Sequence, residues 1–295
     1  MRRPSRLGII LLGGLLSVIC LRSSSAEDGR PALAGKLLYS HLTTDTWQIW
    51  QTDLSTKART QITFSPGDKR KPSWTPDGRI VYHTSNHGYY VVNPGGQDAE
   101  PLLSNFWPLI DVAWAPNGTR VVFSKLQQEL VDQANLWVAD VSGKEQQVLT
   151  HEAGLQYDSA WSPDGQRIVY VGGHGYGTSE LYIMNADGGG RLQLTHNETR
   201  ELSPTWSLDG KKIAFVSDAS GDFEIWVIQA DGSGLTQLTD SSGLDASPAW
   251  SPDGKQMAFA TNRSGVLEIW VMNADGSNPR LLEHAEGGVC DPAWR

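Results

Sequence analysis

Six tryptophans recur at near-constant spacing, Trp74, Trp114, Trp161, Trp206, Trp250 and Trp294, at intervals of 40, 47, 45, 44 and 44 residues. From Trp74 to Trp250 each opens the same phrase: W-T-P-D-G, W-A-P-N-G, W-S-P-D-G, W-S-L-D-G and W-S-P-D-G. A fixed period in this range means one supersecondary unit copied along the chain, each copy burying its apolar faces against its neighbours. Function must then reside in what the copies do not share.

Within one copy, four short apolar runs alternate with turn chemistry, the pattern of an antiparallel meander. The P-D-G turn presets φ with proline and supplies positive φ with glycine; Ala274-Asp275-Gly276 repeats the device later in the unit. No stretch beyond the extreme N-terminus keeps a helical period, so the body reads as all-β. Two aromatic columns fix the register. One is Tyr39, Tyr82, Phe123, Tyr170, Phe215 and Phe259, in the second strand; the other is Trp50, Tyr90, Trp137, Tyr182, Trp226 and Trp270, in the third. Flat side chains at matched positions suit sheets packed face to face. Ten of the twelve tryptophans belong to the repeat columns, so the tryptophan richness reads as architecture.

The two ends of the repeat region are complementary. The first copy, from Lys36 to Thr63, has three strands and no first one, while Asp291 to Arg295 reads as a first strand with nothing after it. Joined, they complete one unit. The expectation is a six-bladed β-propeller of four-stranded antiparallel blades spanning 33–295, closed by pairing the C-terminal strand with the N-terminal blade. W-S-P-D-G together with E-I-W-V-M-N-A-D-G and L-T resembles the TolB-type (WD40-like, PD40) β-propeller repeat. In that family the propeller is a periplasmic binding module, and its namesake works with an outer-membrane lipoprotein. The resemblance therefore implies an exported binding protein. It also implies a departure, since no α/β domain is read ahead of the repeats.

Residues 1–26 read as a secretory signal: Arg2, Arg3 and Arg6, an apolar stretch from Leu7 to Leu21, then Ser24-Ser25-Ala26 before Glu27. Localisation would be periplasmic or secreted, with no membrane span after cleavage. Lipid anchoring at Cys20 is disfavoured because Ile19 stands where a small residue is needed. Cleavage removes four arginines and no acid, taking the formal charge from −9 to −13, which argues against nucleic acid as a partner.

In a meander blade the P-D-G and A-D-G turns share one face, and the irregular connections share the other. Variable loops on a repeated scaffold are where specificity is placed. All seven histidines fall in or beside those connections, among them His83, His87, His151, His174 and His196, with Tyr176 in the glycine-rich link 172–177. They suit either a functional cluster at the channel mouth or the ordinary tolerance of polar loops for histidine. Phe106 and Trp107 form an apolar tip that reads either as a partner anchor or as a plug over the blade edge. Three residues before the repeated tryptophans stand Lys71, Asp111, Asp158, Ser203, Ser247 and Asp291. On an innermost strand these would line the channel as a partly acidic ring; a bound cation such as calcium is one reading, with Lys71 opposing it by repulsion. No cofactor is otherwise expected.

No nucleophile elbow, phosphate-binding loop, zinc motif or oxidoreductase fingerprint occurs. The leading expectation is a monomeric, non-enzymatic binding or scaffold module for a protein, peptide or cell-envelope component. The alternative is a propeller lyase or hydrolase acting on a glycan or acidic substrate, as in oligogalacturonate lyases with TolB-like repeats.

Overall fold

The computed structural model describes residues 33–295 except 86–87, 107, 128–129 and 174–176, and does not describe the side chains of 130–132. The signal segment 1–26 and Cys20 lie outside the described residues, as do His87, Trp107, His174 and Tyr176.

The strands run in chain order as repeated quartets. They are β1 (Lys36–Thr43), β2 (Thr46–Asp53) and β3 (Arg59–Gln61); β4 (Lys69–Trp74), β5 (Ile80–Thr84), β6 (Gly88–Val92) and β7 (Glu100–Leu102); and β8 (Leu109–Trp114), β9 (Arg120–Gln127), β10 (Leu130–Asp140) and β11 (Gln147–Val148). There follow β12 (Leu155–Trp161), β13 (Arg167–Gly173), β14 (Ser179–Asn185) and β15 (Leu192–Gln193); β16 (Glu201–Trp206), β17 (Lys212–Ser217), β18 (Glu224–Gln229) and β19 (Thr236–Gln237); and β20 (Asp245–Trp250), β21 (Gln256–Thr261), β22 (Glu268–Asn273), β23 (Arg280–Glu283) and β24 (Val289–Trp294).

The expectation of six separate four-stranded blades is corrected by the sheet topology. Four separate four-stranded blades form, β24-β1-β2-β3, β4-β5-β6-β7, β16-β17-β18-β19 and β20-β21-β22-β23. The strands between them make one eight-stranded sheet, in which β10 pairs with β12. The cause is the length of the β9–β10 hairpin. On either side of residues 128–129, which lie outside the described residues, the ladder runs on to Leu130 opposite Gln127. The extended β10 then brings Ala134 alongside Leu155 in a parallel bridge, its amide donating to the Gly154 carbonyl at 3.1 Å. Two repeats that the sequence separates are thereby fused.

Each repeat motif has a mechanical role. In W-S-P-D-G the serine hydroxyl donates to the aspartate, Ser162 to Asp164 at 2.5 Å and Ser251 to Asp253 at 2.6 Å. The same hydroxyl accepts the amide of the returning strand, from Arg167 and Gln256, both at 2.9 Å. The turn glycine needs the left-handed region, with φ of 68° at Gly165 and 69° at Gly254, where a side chain would be strained. In the L-T motif, Thr63, Thr150, Thr195 and Thr239 accept the amides of Ile49, Leu136, Leu181 and Ile225 at 2.8–2.9 Å. That bond ties the outermost strand to the third one.

The two aromatic columns are cross-strand partners in every copy: Tyr39 with Trp50, Tyr82 with Tyr90, Phe123 with Trp137, Tyr170 with Tyr182, Phe215 with Trp226 and Phe259 with Trp270. The core lies between neighbouring repeats. One cluster, for example, packs Val122, Leu136, Val138 and Leu149 against Trp161, Ile168, Tyr170 and Met184 of the next copy. Neighbours are also stitched through the repeated indoles: Trp74, Trp161, Trp206 and Trp250 donate to the carbonyls of Ala293, Ala113, Ala160 and Thr205 at 3.1–3.4 Å. Trp294 donates to Ala34 at 2.9 Å, and Trp114 finds no partner for its buried N–H among the described residues.

Candidate functional site at the channel mouth

The column three residues before each repeated tryptophan converges on one cavity of about 230 Å³, lined by Lys71, Asp111, Asp158, Ser203, Ser247 and Asp291, with Tyr89 beside them. A β-bulge in the innermost strands makes this geometry. The ladder slips between Arg70 and Ser73, Tyr157 and Ala160, Leu202 and Thr205, and Ala246 and Ala249. Inside each slip one residue adopts the left-handed conformation: Lys71, Asp158, Ser203 and Ser247, with Asp291 alike in β24, at φ of 48–54°. A bulge re-aims a side chain, and a left-handed non-glycine residue costs about 1–3 kcal/mol unless its surroundings fix it. Asp111 differs, because in β8 the slip falls between Leu109 and Asp111.

The aspartates fix the ring by reaching from one repeat to the next. The Asp111 Oδ2 atom accepts both the amide and the hydroxyl of Ser159 at 2.7 Å. Asp158 Oδ2 accepts the Ser203 amide at 3.1 Å. Asp291 Oδ2 accepts from the Lys71 amide at 3.2 Å, from Arg70 Nε at 2.8 Å and from Ser40 Oγ at 3.0 Å. Arg70 is itself laid over the Trp47 ring at 4.3 Å. Among the described residues the Lys71 ammonium has a single long polar contact, 3.4 Å to Asp158 Oδ1, and its side chain is 54% exposed.

These contacts divide the acids. Burial opposes the charge on Asp291, but Arg70, the Lys71 amide and Ser40 outweigh it and hold the carboxyl below its ordinary value. Asp111 goes the other way: burial first, then the Asp158 charge, push it to about 6 against the Ser159 hydrogen bonds. It is 7% exposed, and its Oδ1 has no hydrogen-bond partner among the described residues. The Lys71 pKa is raised, by Asp158 above all, over the opposing effect of burial.

The histidines do not converge. His83 is half-buried against the Tyr89 ring at 4.9 Å, and burial followed by the Lys71 charge lowers its pKa. His151 and His196 are exposed after the outer strands of different repeats. Among the described residues no group of three or more His, Cys, Asp or Glu is arranged to hold a metal ion. Cys290 is buried, and burial raises its pKa.

Of the two residues of that apolar tip, Phe106 is described and is buried. It ends a short 3-10 turn, Ser104–Phe106, is 8% exposed, and packs on Phe123 at 5.3 Å within a cluster that includes Leu103 and Leu109. For Phe106 alone this is the plug geometry. Phe106→Leu should therefore lower stability by about 1 kcal/mol, the scale of a modest core truncation, with partner binding unchanged. A thermal melt paired with a binding titration checks it; lost binding at unchanged stability would restore an anchor role.

Three features of this mouth escape the repeat pattern. Arg70, Ser40 and Ser159, which hold the aspartates, sit outside the aligned column, and only the fold brings them to it. At the other end of the channel, the six repeated tryptophans, with Pro76, Pro116, Pro163, Pro252 and Leu208, line two adjoining cavities of about 620 and 490 Å³. The indoles are thus both stitching and lining. Among the described residues no helix is long and apolar enough to cross a membrane.

The comparisons with known proteins follow the same architecture. TolB from Acinetobacter baumannii superposes with a TM-score of 0.78 at 22% identity, over 89% of this chain and 67% of that one. A putative TolB from Agrobacterium tumefaciens gives 0.67 at 22% identity, over 85% and 89%. An oligogalacturonate lyase in complex with manganese gives 0.59 at 16% identity, over 84% and 73%. No curated protein matches the sequence. The family model described as the TolB beta propeller domain matches residues 88–242 and 203–295, most of the chain. With the P-D-G turns, the L-T ties and the β24–β1 pairing accounted for, the chain belongs to the TolB-type β-propeller family.

Proposed function

We propose that this chain is an exported, non-enzymatic binding module that recognises a protein, peptide or cell-envelope component through the face carrying the irregular connections. The observation that carries the reading is the cavity at that face. Its charged groups are held by amides and hydroxyls of the neighbouring repeats, so a partner meets a preformed polar pattern on rigid strands. Family membership supports the same reading, and the basic, apolar and small-residue run at 1–26 supports a periplasmic or secreted address.

The test is capture from an envelope extract by immobilised residues 27–295. A specific partner should be retained, lost on Asp158→Arg in the cavity, and kept on Lys255→Glu at the opposite, regular-turn face. Loss on both substitutions, or on neither, would place recognition elsewhere. Likeness to a lyase and the half-buried His83 near Lys71 motivate one rival, turnover of a glycan or acidic substrate. Cleavage in a polysaccharide library, abolished by His83→Ala, would replace the binding reading.

A further inference from the structure

The cavity holds more negative charge than its own cations offset. Arg70 is committed to Asp291 by a 2.8 Å ion pair, which leaves Asp111 and Asp158 facing one ammonium, that of Lys71. One carboxylate is in excess. The excess is felt at Asp111, whose Oδ1 is buried without a partner among the described residues, an arrangement that costs stability unless something supplies a donor.

We propose that the cavity receives one primary ammonium group from a partner chain, a lysine side chain or a free amino terminus, which takes the place of the Lys71 ammonium between Asp111 and Asp158. This rests on the binding-module reading and names what enters the site. Size agrees: about 230 Å³ admits the end of one side chain and excludes a folded element. So does charge, since a single positive group neutralises the excess. The receiving carboxylates are preset, because Ser159 and the Ser203 amide already hold one oxygen of each and leave the other for an incoming donor.

Lys71 is the movable member of the ring. Its side chain is more than half exposed, its one ion pair among the described residues is long, and its backbone sits at a φ of 51°. It occupies the site as an internal stand-in that an external ammonium displaces. Displacement carries a cost, so the resident lysine sets the affinity and rejects isolated monovalent cations that bring no further contacts.

The probes are a capped Gly-Lys-Gly peptide, triglycine amide with a free amino terminus, a capped Gly-Gln-Gly peptide and calcium chloride, each titrated calorimetrically into residues 27–295. One or both ammonium probes should bind, and the glutamine peptide should not. Lys71→Met removes the competitor and a like charge, and should tighten ammonium binding about tenfold or more. Asp111→Asn should weaken it at least about tenfold while melting like the parent chain. Binding of the lysine peptide alone assigns the source to a side chain, and of triglycine amide alone to an amino terminus. Absence of saturable ammonium binding by the Lys71→Met protein overturns the proposal even if Asp111→Asn misfolds. So does a response to calcium only, or equal binding of the glutamine peptide. A chain that captures its partner through the cavity face yet ignores both ammonium probes loses this inference alone. Ammonium binding without partner capture supports the site and removes the broader reading.

Discussion

Deleting residues 290–295 should abolish cooperative folding or lower stability by about 5 kcal/mol or more, comparable with the whole stability of a typical domain. The segment is most of β24, which pairs with β1 through Leu37 opposite Trp294, Leu38 opposite Ala293 and Ser40 opposite Cys290. It also carries the reciprocal bonds between Lys36 and Arg295, at 2.6 and 2.9 Å. Without it Leu37 and Leu38, both fully buried, face a bare sheet edge, and Arg70 loses the carboxylate that compensates its charge. Trp74 loses its carbonyl acceptor at Ala293. Several independent losses fall on one joint, so the effect exceeds that of any single core substitution. Thermal melting and size-exclusion chromatography of the truncated chain provide the check. A melt unchanged from that of the parent would mean that the β24–β1 seam does not hold the ring together.

The second large effect is a pH dependence at Glu201. This residue is fully buried; its Oε1 accepts from Asn197 at 2.8 Å, Thr199 at 3.1 Å and Ser217 at 3.2 Å, while its Oε2 has no partner among the described residues. Burial, aided by the Glu180 charge, raises its pKa to about 7. In the next repeat the equivalent Asp245 is matched by Arg263 at 2.8 Å, but Ala219 stands where Arg263 does, so among the described residues Glu201 has no such cation. The folded state therefore holds a proton that the unfolded state releases near the ordinary glutamate value of 4.5. The associated stability is fully present below that value and is lost as pH rises through about 7, a difference of about 3 kcal/mol. Glu201→Gln keeps an acceptor for the three donors and carries no charge. It should match the parent chain near pH 4 and exceed its stability by up to about 3 kcal/mol at pH 8. Denaturant titrations of both proteins across that range decide the matter. A constant difference between them would remove Glu201 as the source.

How far the channel mouth was legible in the sequence differs residue by residue. Lys71, Asp111, Asp158 and Asp291 stand in register with the repeated tryptophan, and a register position on an innermost strand already implies a place along the channel. The bulge that turns most of them inward leaves no mark in the period, because one extra residue in a strand looks the same as a longer strand. Their partners Ser40, Arg70 and Ser159 are invisible for a different reason: each belongs to another strand or another repeat, and distance along the chain does not report which repeats meet. Phe106 shows the limit for apolar loop residues. Composition marks it as unusual, but whether such a side chain faces water or folds back on Phe123 depends on whether a neighbouring cluster has room for it.

The sequence by itself determined the unit, its turns and its ties. Those rest on contacts within a few residues, such as Ser162 with Asp164, or on cross-strand pairs at fixed spacing, such as Phe259 with Trp270. Only the tertiary structure decided how the units join. The fusion of two repeats through Ala134 and Leu155 depends on a hairpin long enough to bring two backbones within bonding distance. The proton affinities of Asp111 and Glu201 depend likewise on which charges and hydroxyls end up beside them after water is excluded. Local chemistry repeats with the sequence, while desolvation and long-range pairing are properties of the closed ring, and it is these that make six similar strands into one site with unlike members.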